Sequence, residues 1–98
     1  MGGIKMFHIK IVWHHDNQYD PVTMYCELDA NRYEVRKIEI FRSGKILHVT
    51  EKAEIMDSCM LSELPWPTIE EINQDSQFIA REISQEEFQH VWLKYVNK

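Results

Sequence analysis

Apolar residues alternate with polar ones through the first half of the chain, and this period of two restricts the fold more than any other feature. Residues 7–13 carry apolar side chains at every second position, namely Phe7, Ile9, Ile11 and Trp13. Such alternation predicts a half-buried strand, and similar runs predict further strands within 22–28, 32–42 and 46–50. Ser43 and Gly44 separate the last two runs and are a two-residue hairpin signal, because glycine adopts positive φ easily. We therefore expect strands two, three and four to form an antiparallel meander.

The third run changes phase along its length, which bears on how it pairs with its neighbours. Tyr33 and Val35 lie on one parity, whereas Ile38 and Ile40 lie on the other. One extra residue around Arg36 and Lys37 would reconcile the two halves, so we predict a β-bulge there. The alternative is that the sheet is buried on both faces at this point.

Two helix starts are marked in the C-terminal third. Thr68 and Glu71 have the spacing of a capping box, and we expect the short helix that they open to end by Asp75. Ser84 and Glu87 form a second box, which is strengthened by apolar residues positioned as a hydrophobic staple. The helix that follows carries one apolar stripe at helical spacing, formed by Phe88, Val91, Trp92 and Tyr95.

These elements predict an α+β fold for the chain as a single domain, residues 1–98. We expect an antiparallel β-sheet of about four to five strands, a meander with a bulge, covered on one face by a C-terminal α-helix plus a short helix. Residues 78–83 fit either a short edge strand or an extended connection. Residues 51–60 could continue a strand or form a helical turn, and the prolines around Trp66 indicate an irregular, extended segment.

Length and composition indicate a protein that folds without metals or disulfides. A chain of 98 residues, of which 44% are apolar, can bury roughly two-thirds of its unfolded surface. The first residues contain no apolar run long enough for a signal peptide, and no stretch reaches the length of a membrane span. Cys26 and Cys59 lie far apart without a metal-binding spacing. We therefore expect two thiols in a reducing cytoplasm.

No residue pattern indicates a catalytic or metal site. His14, His15 and Asp16 form the most conspicuous polar cluster, but neighbouring side chains on an extended chain point in opposite directions and seldom bind one ion. The carboxylate pairs at 70–71 and 86–87 lie in first helical turns, where the helix dipole favours negative charge. We therefore expect no enzyme activity, no metal and no cofactor, while the role of residues 14–16 stays open.

Charge is distributed unevenly along the chain. Residues 1–50 contain seven Lys or Arg against six Asp or Glu, whereas residues 51–98 contain four against ten. The acidic half repels phosphate backbones and anionic membrane surfaces, so we expect neither nucleic acid nor a membrane as a partner. Basic residues on the third strand, with aromatic residues nearby, would suit single-stranded nucleic acid, but alternation places them on both faces.

Acidic residues concentrate near one aromatic residue in a proline-framed segment, which predicts a surface for a basic protein partner. The candidate partner-binding residues are Glu63, Trp66, Glu70, Glu71, Asp75, Glu86 and Glu87. The alternative is a solvated acidic face with Trp66 buried in the core, because large aromatic side chains are usually mostly buried. No pattern indicates the oligomeric state.

Several segments resemble a small bacterial domain family of unknown function. They are residues 11–15, 27–29, 32–37, 41–44, 67–73, 80–84 and 86–88. The resemblance covers nearly the whole chain except residues 51–62, and it implies no assigned chemistry and no catalytic residues. Some proteins of this kind resemble the immunity proteins that are encoded beside polymorphic or contact-dependent toxins.

The resemblance implies a bacterial, cytoplasmic immunity protein that neutralises a cognate toxin. Many such toxins are nucleases with basic active sites, and an acidic domain can cover a basic site by mimicking the charge of its substrate. We therefore expect a non-catalytic protein-binding domain whose partner is a cognate toxin, with a nuclease as the first candidate. The alternative is a regulatory or adaptor domain whose partner is unrelated to toxins.

Overall fold

Five antiparallel strands form one sheet within residues 5–50 and 61–96, the part of the chain that this computed structural model describes. The strands are β1 (Phe7–Trp13), β2 (Thr23–Leu28), β3 (Glu34–Ile40), β4 (Ile46–Thr50) and β5 (Phe78–Glu82). Two helices flank β5 in the sequence, α1 (Ile69–Ile72) and α2 (Gln85–Tyr95). The order across the sheet is β4-β3-β2-β1-β5, so β5 returns beside β1 and forms one edge.

The α+β class and the antiparallel meander that the sequence predicts are confirmed. β1 spans the predicted residues, with Ile9 opposite Cys26 in β2 and opposite Glu82 in β5. The stretch that fitted either an edge strand or a connection forms the edge strand β5. The expectations for residues 51–60, Cys59 included, lie outside the described residues.

The phase change in the third run corresponds to an irregularity in the pairing of β2 with β3. Glu27 lies opposite Arg36 and Leu28 lies opposite Glu34, so Val35 is the extra residue. The predicted bulge is therefore present, one residue before Arg36. Because of it, Glu34 and Arg36 point to opposite faces of the sheet, although regular alternation would put them on the same face.

The two faces of the sheet are covered by different helices. α1 and the segment before it pack on the face that carries Ile9 and Ile11. α2 packs on the other face, where the Phe88 ring lies 5.3 Å from the ring of His8. The predicted cover by two helices is present, but the helices lie on opposite faces. Both faces carry fully buried side chains, such as Ile9 on one and Ile38 on the other, so each face needs a cover.

The β3–β4 hairpin has a longer loop than the predicted two-residue turn. The N–H of Phe41 bonds the carbonyl of Lys45 at 2.9 Å, and the N–H of Gly44 bonds the carbonyl of Phe41 at 2.9 Å. Gly44 has a φ of 93°, as in a type I turn that is closed by a left-handed residue. Gly44 therefore indicated the position of the hairpin correctly. The loop between the paired residues Phe41 and Lys45 has three residues, 42–44, instead of the predicted two.

Both predicted helix starts are present, but their caps differ. At α1 the Thr68 hydroxyl accepts from the N–H of Glu71, and the Glu71 carboxylate accepts from the N–H of Thr68. At α2 the Ser84 hydroxyl accepts from the N–H of Glu87 at 2.9 Å. The Glu87 carboxylate bonds Arg81 at 3.0 Å. Among the described contacts, both hydrogen bonds of the capping box are therefore present at α1, whereas at α2 only the bond to the Ser84 hydroxyl is present.

A buried ion network fixes α2 to the sheet. Arg36 donates two hydrogen bonds to the Glu27 carboxylate, at 2.7 and 3.0 Å, and His8 contacts the same group at 2.9 Å. The Arg36 guanidinium also lies over the rings of Phe88 and Trp92. Burial raises the pKa of Glu27, but the hydrogen bonds from Arg36 and His8 outweigh burial, so the pKa lies below its ordinary value.

Glu27→Gln is expected to destabilise the fold by roughly 3 kcal/mol, because it leaves the Arg36 guanidinium without its charge partner. A lowered pKa in the folded state contributes stability above the ordinary carboxyl range, and this contribution is lost as the pH falls through the lowered pKa. Urea denaturation at neutral and acid pH measures both effects. If the variant loses stability in acid as steeply as the natural chain, Glu27 is not the source of the pH dependence.

The side chain of Asn73, which follows α1, covers part of the edge of β5 that faces away from β1. Its amide N–H donates to the carbonyl of Ala80 at 2.9 Å, and its amide oxygen accepts from the N–H of Ala80 at 2.6 Å. These are the two bonds that a residue of a further antiparallel strand would make. Unpaired edges invite the addition of strands from other chains, so Asn73 protects this edge.

Asn73→Ala should leave both backbone groups of Ala80 without these partners, at a residue that is only 5% exposed. We expect a loss of about 2–3 kcal/mol in stability, together with self-association at high concentration. Gln74→Ala, at the exposed next residue, is the matched control. Denaturation curves and sedimentation velocity measure the two effects, and identical behaviour of both variants would contradict the role given to Asn73.

Candidate functional site

An apolar pocket of about 390 Å³ opens beside α1, on the sheet face opposite to α2. We call it the aromatic pocket, and it is lined by Trp13, Met24, Trp66, Pro67, Glu71, Ile72, Asp75 and Phe78. Three aromatic rings and two carboxylates thus surround one cavity. An apolar interior with a few polar groups is the usual composition of a binding pocket.

Two of the three rings come from neighbouring strands. Trp13 at the end of β1 lies opposite Phe78 at the start of β5, and their rings stack with centroids 5.4 Å apart. The ring of His15 meets Trp13 at a steep angle, with centroids 4.5 Å apart. Cross-strand pairing therefore fixes Trp13 and Phe78 as one wall of the aromatic pocket.

The third ring, Trp66, is held in place although its segment has no regular secondary structure. The backbone N–H of Trp66 donates to the carbonyl of Arg32 at 2.9 Å. The Arg32 guanidinium donates in turn to the carbonyls of Trp66 and Pro67, at 2.9 and 2.7 Å. The indole N–H of Trp66 donates to the Glu34 carboxylate. Both the backbone and the ring of Trp66 are therefore fixed.

Arg32 has an unusual backbone conformation for a residue with a side chain. Its φ is 70°, in the left-handed region, which costs on the order of 1 kcal/mol for a residue other than glycine. The turn is built by Asp29, whose carboxylate accepts from the N–H groups of Asn31 and Tyr33 at 2.9 and 3.0 Å. The bonds of the Arg32 guanidinium to the Trp66 segment offset the backbone cost.

Glu34 is a carboxylate whose side chain has no solvent exposure. It accepts from the N–H of Ser62 at 2.6 Å and from the Trp66 indole, and it lies 3.3 Å from the ammonium of Lys37. Sequence reasoning missed Glu34 and Arg32 as residues that build the site. The phase change around Val35 was the available signal for Glu34, because the bulge turns that side chain toward the core. No pattern indicated the role of Arg32.

Glu71 and Asp75 place two carboxylates at the rim of the aromatic pocket. Hydrogen bonds from the backbone and the hydroxyl of Thr68 hold the pKa of Glu71 below its ordinary value, and the nearby Arg32 lowers it further. The Asp75 carboxylate accepts from the N–H of Gln77 at 2.9 Å. Both carboxylates belong to exposed residues, so their charge acts on approaching molecules.

Five of the predicted partner-binding residues lie on the α1 side of the sheet. Trp66, Glu71 and Asp75 come together at the aromatic pocket. Glu70 lines a second cavity of about 230 Å³, and Glu63 is exposed on the segment before Trp66. Trp66 is half-buried and packs against the core, so it contributes both to the core and to the pocket wall.

The other two predicted residues, Glu86 and Glu87, are placed elsewhere. They lie in the first turn of α2, and α2 covers the opposite face of the sheet. Glu87 pairs there with Arg81 at 3.0 Å. The acidic residues that concentrate between positions 63 and 87 of the sequence are therefore divided between the two faces of the sheet.

Residues His14, His15 and Asp16 line a polar cavity of about 380 Å³. Nδ1 of His15 accepts from the N–H of Asn17 at 2.9 Å, and Nε2 contacts the carbonyl of Pro21 at 2.8 Å. Both ring nitrogens thus stabilise the loop, with the proton on Nε2. Within residues 5–50 and 61–96, no three His, Cys, Asp or Glu side chains come together as potential metal ligands.

A family model described as a domain of unknown function, DUF6881, matches residues 7–97. The match includes every strand and helix given above. The chain belongs to this family. Nothing in the match connects the family with immunity proteins or toxins, and neither a curated protein nor a solved structure matches the chain. Among the described residues, no helix is long and apolar enough to cross a membrane.

Arg32→Gly tests whether the guanidinium holds the Trp66 segment, because glycine keeps the left-handed φ available. We expect a stability loss of about 1–2 kcal/mol, since two hydrogen bonds from a charged donor are lost and relief of backbone strain returns only part of that energy. The NMR signal of the Trp66 indole N–H should also shift. An unchanged Trp66 signal would show that Arg32 does not position the ring, and the Trp92 indole on the other face is the internal control.

Proposed function

We propose that this chain is a non-catalytic protein-binding domain that recognises a basic protein through the face with the aromatic pocket. Its docking surface consists of Glu63, Trp66, Glu70, Glu71 and Asp75. The observation that carries the proposal is that Trp66, Glu71 and Asp75 surround one preformed apolar pocket. Glu86 and Glu87 are not part of this surface, because they lie on the other face of the sheet.

The docking surface combines the two features that protein recognition requires. An aromatic residue in a pocket supplies the buried anchor that dominates the binding energy of many interfaces. Exposed carboxylates around the anchor accelerate encounter with a positively charged partner. Because Arg32 and Glu34 already hold Trp66, the ring loses little freedom on binding, and the entropic cost of association is reduced.

In its finer form, the proposal is that the domain is a cytoplasmic immunity protein for a cognate toxin. The resemblance of some proteins of this kind to immunity proteins supports this form, and so does the net charge of −5. A nuclease toxin would present a basic active site, which an acidic surface with an aromatic anchor would cover. The second candidate is a regulatory or adaptor domain that binds a basic protein of the host cell.

The gene immediately upstream distinguishes the two forms. An immunity protein requires a neighbouring gene for an exported toxin with a variable C-terminal domain. Co-expression of that domain with this chain should restore bacterial growth and give a complex on a sizing column. Continued growth arrest without a complex would rule out the immunity form.

Two matched charge reversals test the docking surface itself. Glu70→Lys and Glu86→Lys each change an exposed residue at the second position of a helix, so the cost to the helix dipole is similar. We expect Glu70→Lys to slow association with the toxin domain about tenfold at low salt, and Glu86→Lys to have little effect. Stopped-flow kinetics over a salt series checks this. Equal effects would mean that only net charge matters, and would refute the docking surface.

A further inference from the structure

Among the described residues, Lys and Arg side chains lie over many of the aromatic rings, but not over those of the aromatic pocket. A Lys or Arg lies between 4.6 and 5.9 Å from the ring centroids of Phe7, Tyr25, Phe41, Phe88, Trp92 and Tyr95. Within residues 5–50 and 61–96, no cation lies in this way over Trp13, Trp66 or Phe78. The negative potential of these three rings is therefore not compensated by a described cation.

The rim of the aromatic pocket adds negative charge to these rings. Glu71 and Asp75 are exposed carboxylates, and no Lys or Arg is among the lining residues that the structure describes. Arg32 is close enough to lower the pKa of Glu71, but its guanidinium is bonded to the carbonyls of Trp66 and Pro67. An organic cation that enters the pocket would meet carboxylates at the rim and aromatic rings inside.

The opposite face of the sheet shows how this chain holds a guanidinium. Arg36 lies 4.9 and 4.6 Å from the ring centroids of Phe88 and Trp92. Its nitrogens bond the Glu27 carboxylate at 2.7 and 3.0 Å. Two rings and one carboxylate thus surround the Arg36 guanidinium, together with the amide oxygen of Gln89 at 3.3 Å. The aromatic pocket presents rings and carboxylates around an open cavity.

We propose that the aromatic pocket binds the side chain of an arginine supplied by a protein partner. This inference rests on the proposed function and deepens it, because it names the group with which the basic partner enters. Arginine fits better than lysine, since its guanidinium is planar, weakly hydrated, stacks on aromatic rings and donates two bonds to a carboxylate. Met24 and Ile72 are buried lining residues, and their apolar side chains suit the aliphatic part of an arginine.

The other cavities suit an arginine less well. The cavity beside Glu70 contains Phe7, whose ring already faces Lys5 and Arg32. The polar cavity beside His15 contains Arg42, which would repel a second guanidinium. Of these three cavities, the aromatic pocket alone combines aromatic rings and carboxylates without a Lys or Arg among its described lining residues.

The probe is the blocked peptide acetyl-Gly-Arg-Gly-amide, titrated into the full chain and followed by the NMR signals of the indole N–H groups. We expect the signals of Trp13 and Trp66 to shift and saturate, and that of Trp92 on the other face to stay in place. The same peptide with citrulline has nearly the same shape without the charge, and should bind roughly tenfold more weakly. A lysine peptide should also bind more weakly.

Two conservative variants test the rim without removing its structural bonds. Glu71→Gln and Asp75→Asn each keep an oxygen that can accept the hydrogen bonds from Thr68 and Gln77. The double variant should bind the arginine peptide roughly tenfold more weakly. Glu87→Gln, at the third position of α2, matches Glu71→Gln at the third position of α1 and should leave the affinity unchanged. Circular dichroism verifies that all variants are folded.

Equal affinities for the arginine and citrulline peptides would overturn the inference, and so would shifts confined to Trp92. A lysine peptide that binds as tightly as the arginine peptide would exclude guanidinium recognition. The outcome is separate from that of the toxin experiment. Saturable binding of the arginine peptide without any toxin complex supports arginine binding in the pocket and rules out the immunity form. Toxin neutralisation with unshifted Trp13 and Trp66 signals supports the immunity form and rules out arginine binding in the pocket.

Discussion

The candidate site depends on the contacts of one buried carboxylate, that of Glu34. Glu34 belongs to β3, whereas two of the groups that it binds, the N–H of Ser62 and the indole of Trp66, belong to the segment that leads into α1. Lys37 compensates its charge from the same strand. A buried carboxylate without such partners would cost several kcal/mol. The hydrogen bonds that satisfy the Glu34 carboxylate therefore hold this segment on the sheet. They also position Trp66, which forms one wall of the aromatic pocket.

The sheet could be predicted from the sequence because strand formation and capping follow local rules. Alternation gave the limits of β1, and the phase change beside Val35 predicted the bulge within one residue. Gly44 located the hairpin because its φ of 93° is one that few other residues adopt. Thr68 located the start of α1 for a similar reason, since its hydroxyl satisfies a backbone N–H that the helix leaves free.

The candidate site could be predicted only in part, because its geometry depends on contacts between residues that are distant in the sequence. Arg32 and Trp66 are separated by 34 positions, and no local pattern relates them. Glu71 and Glu87 are indistinguishable by local pattern, since each is the third residue of a capped helix. Between them β5 adds to the edge of the sheet, and the chain passes from one face to the other. The packing of each helix, and not its charge pattern, decides which carboxylate reaches the aromatic pocket.

The bulge at Val35 explains why the two faces of the sheet differ in their capacity to bind. It turns Glu34 toward Trp66 while Arg36 keeps its position under α2. In a strand with regular alternation, Glu34 would share a face with Arg36, and the Trp66 indole would lose its acceptor. The bulge thus gives each face its own carboxylate. On the α2 face, Arg36 lies over the rings of Phe88 and Trp92. These rings are therefore already in contact with a cation of the chain, and that face is part of the core. On the α1 face, Glu34 is used to position an aromatic ring, and no described cation of the chain occupies the pocket that the ring borders. The same bulge that completes one face therefore leaves the other complementary to a cation from outside.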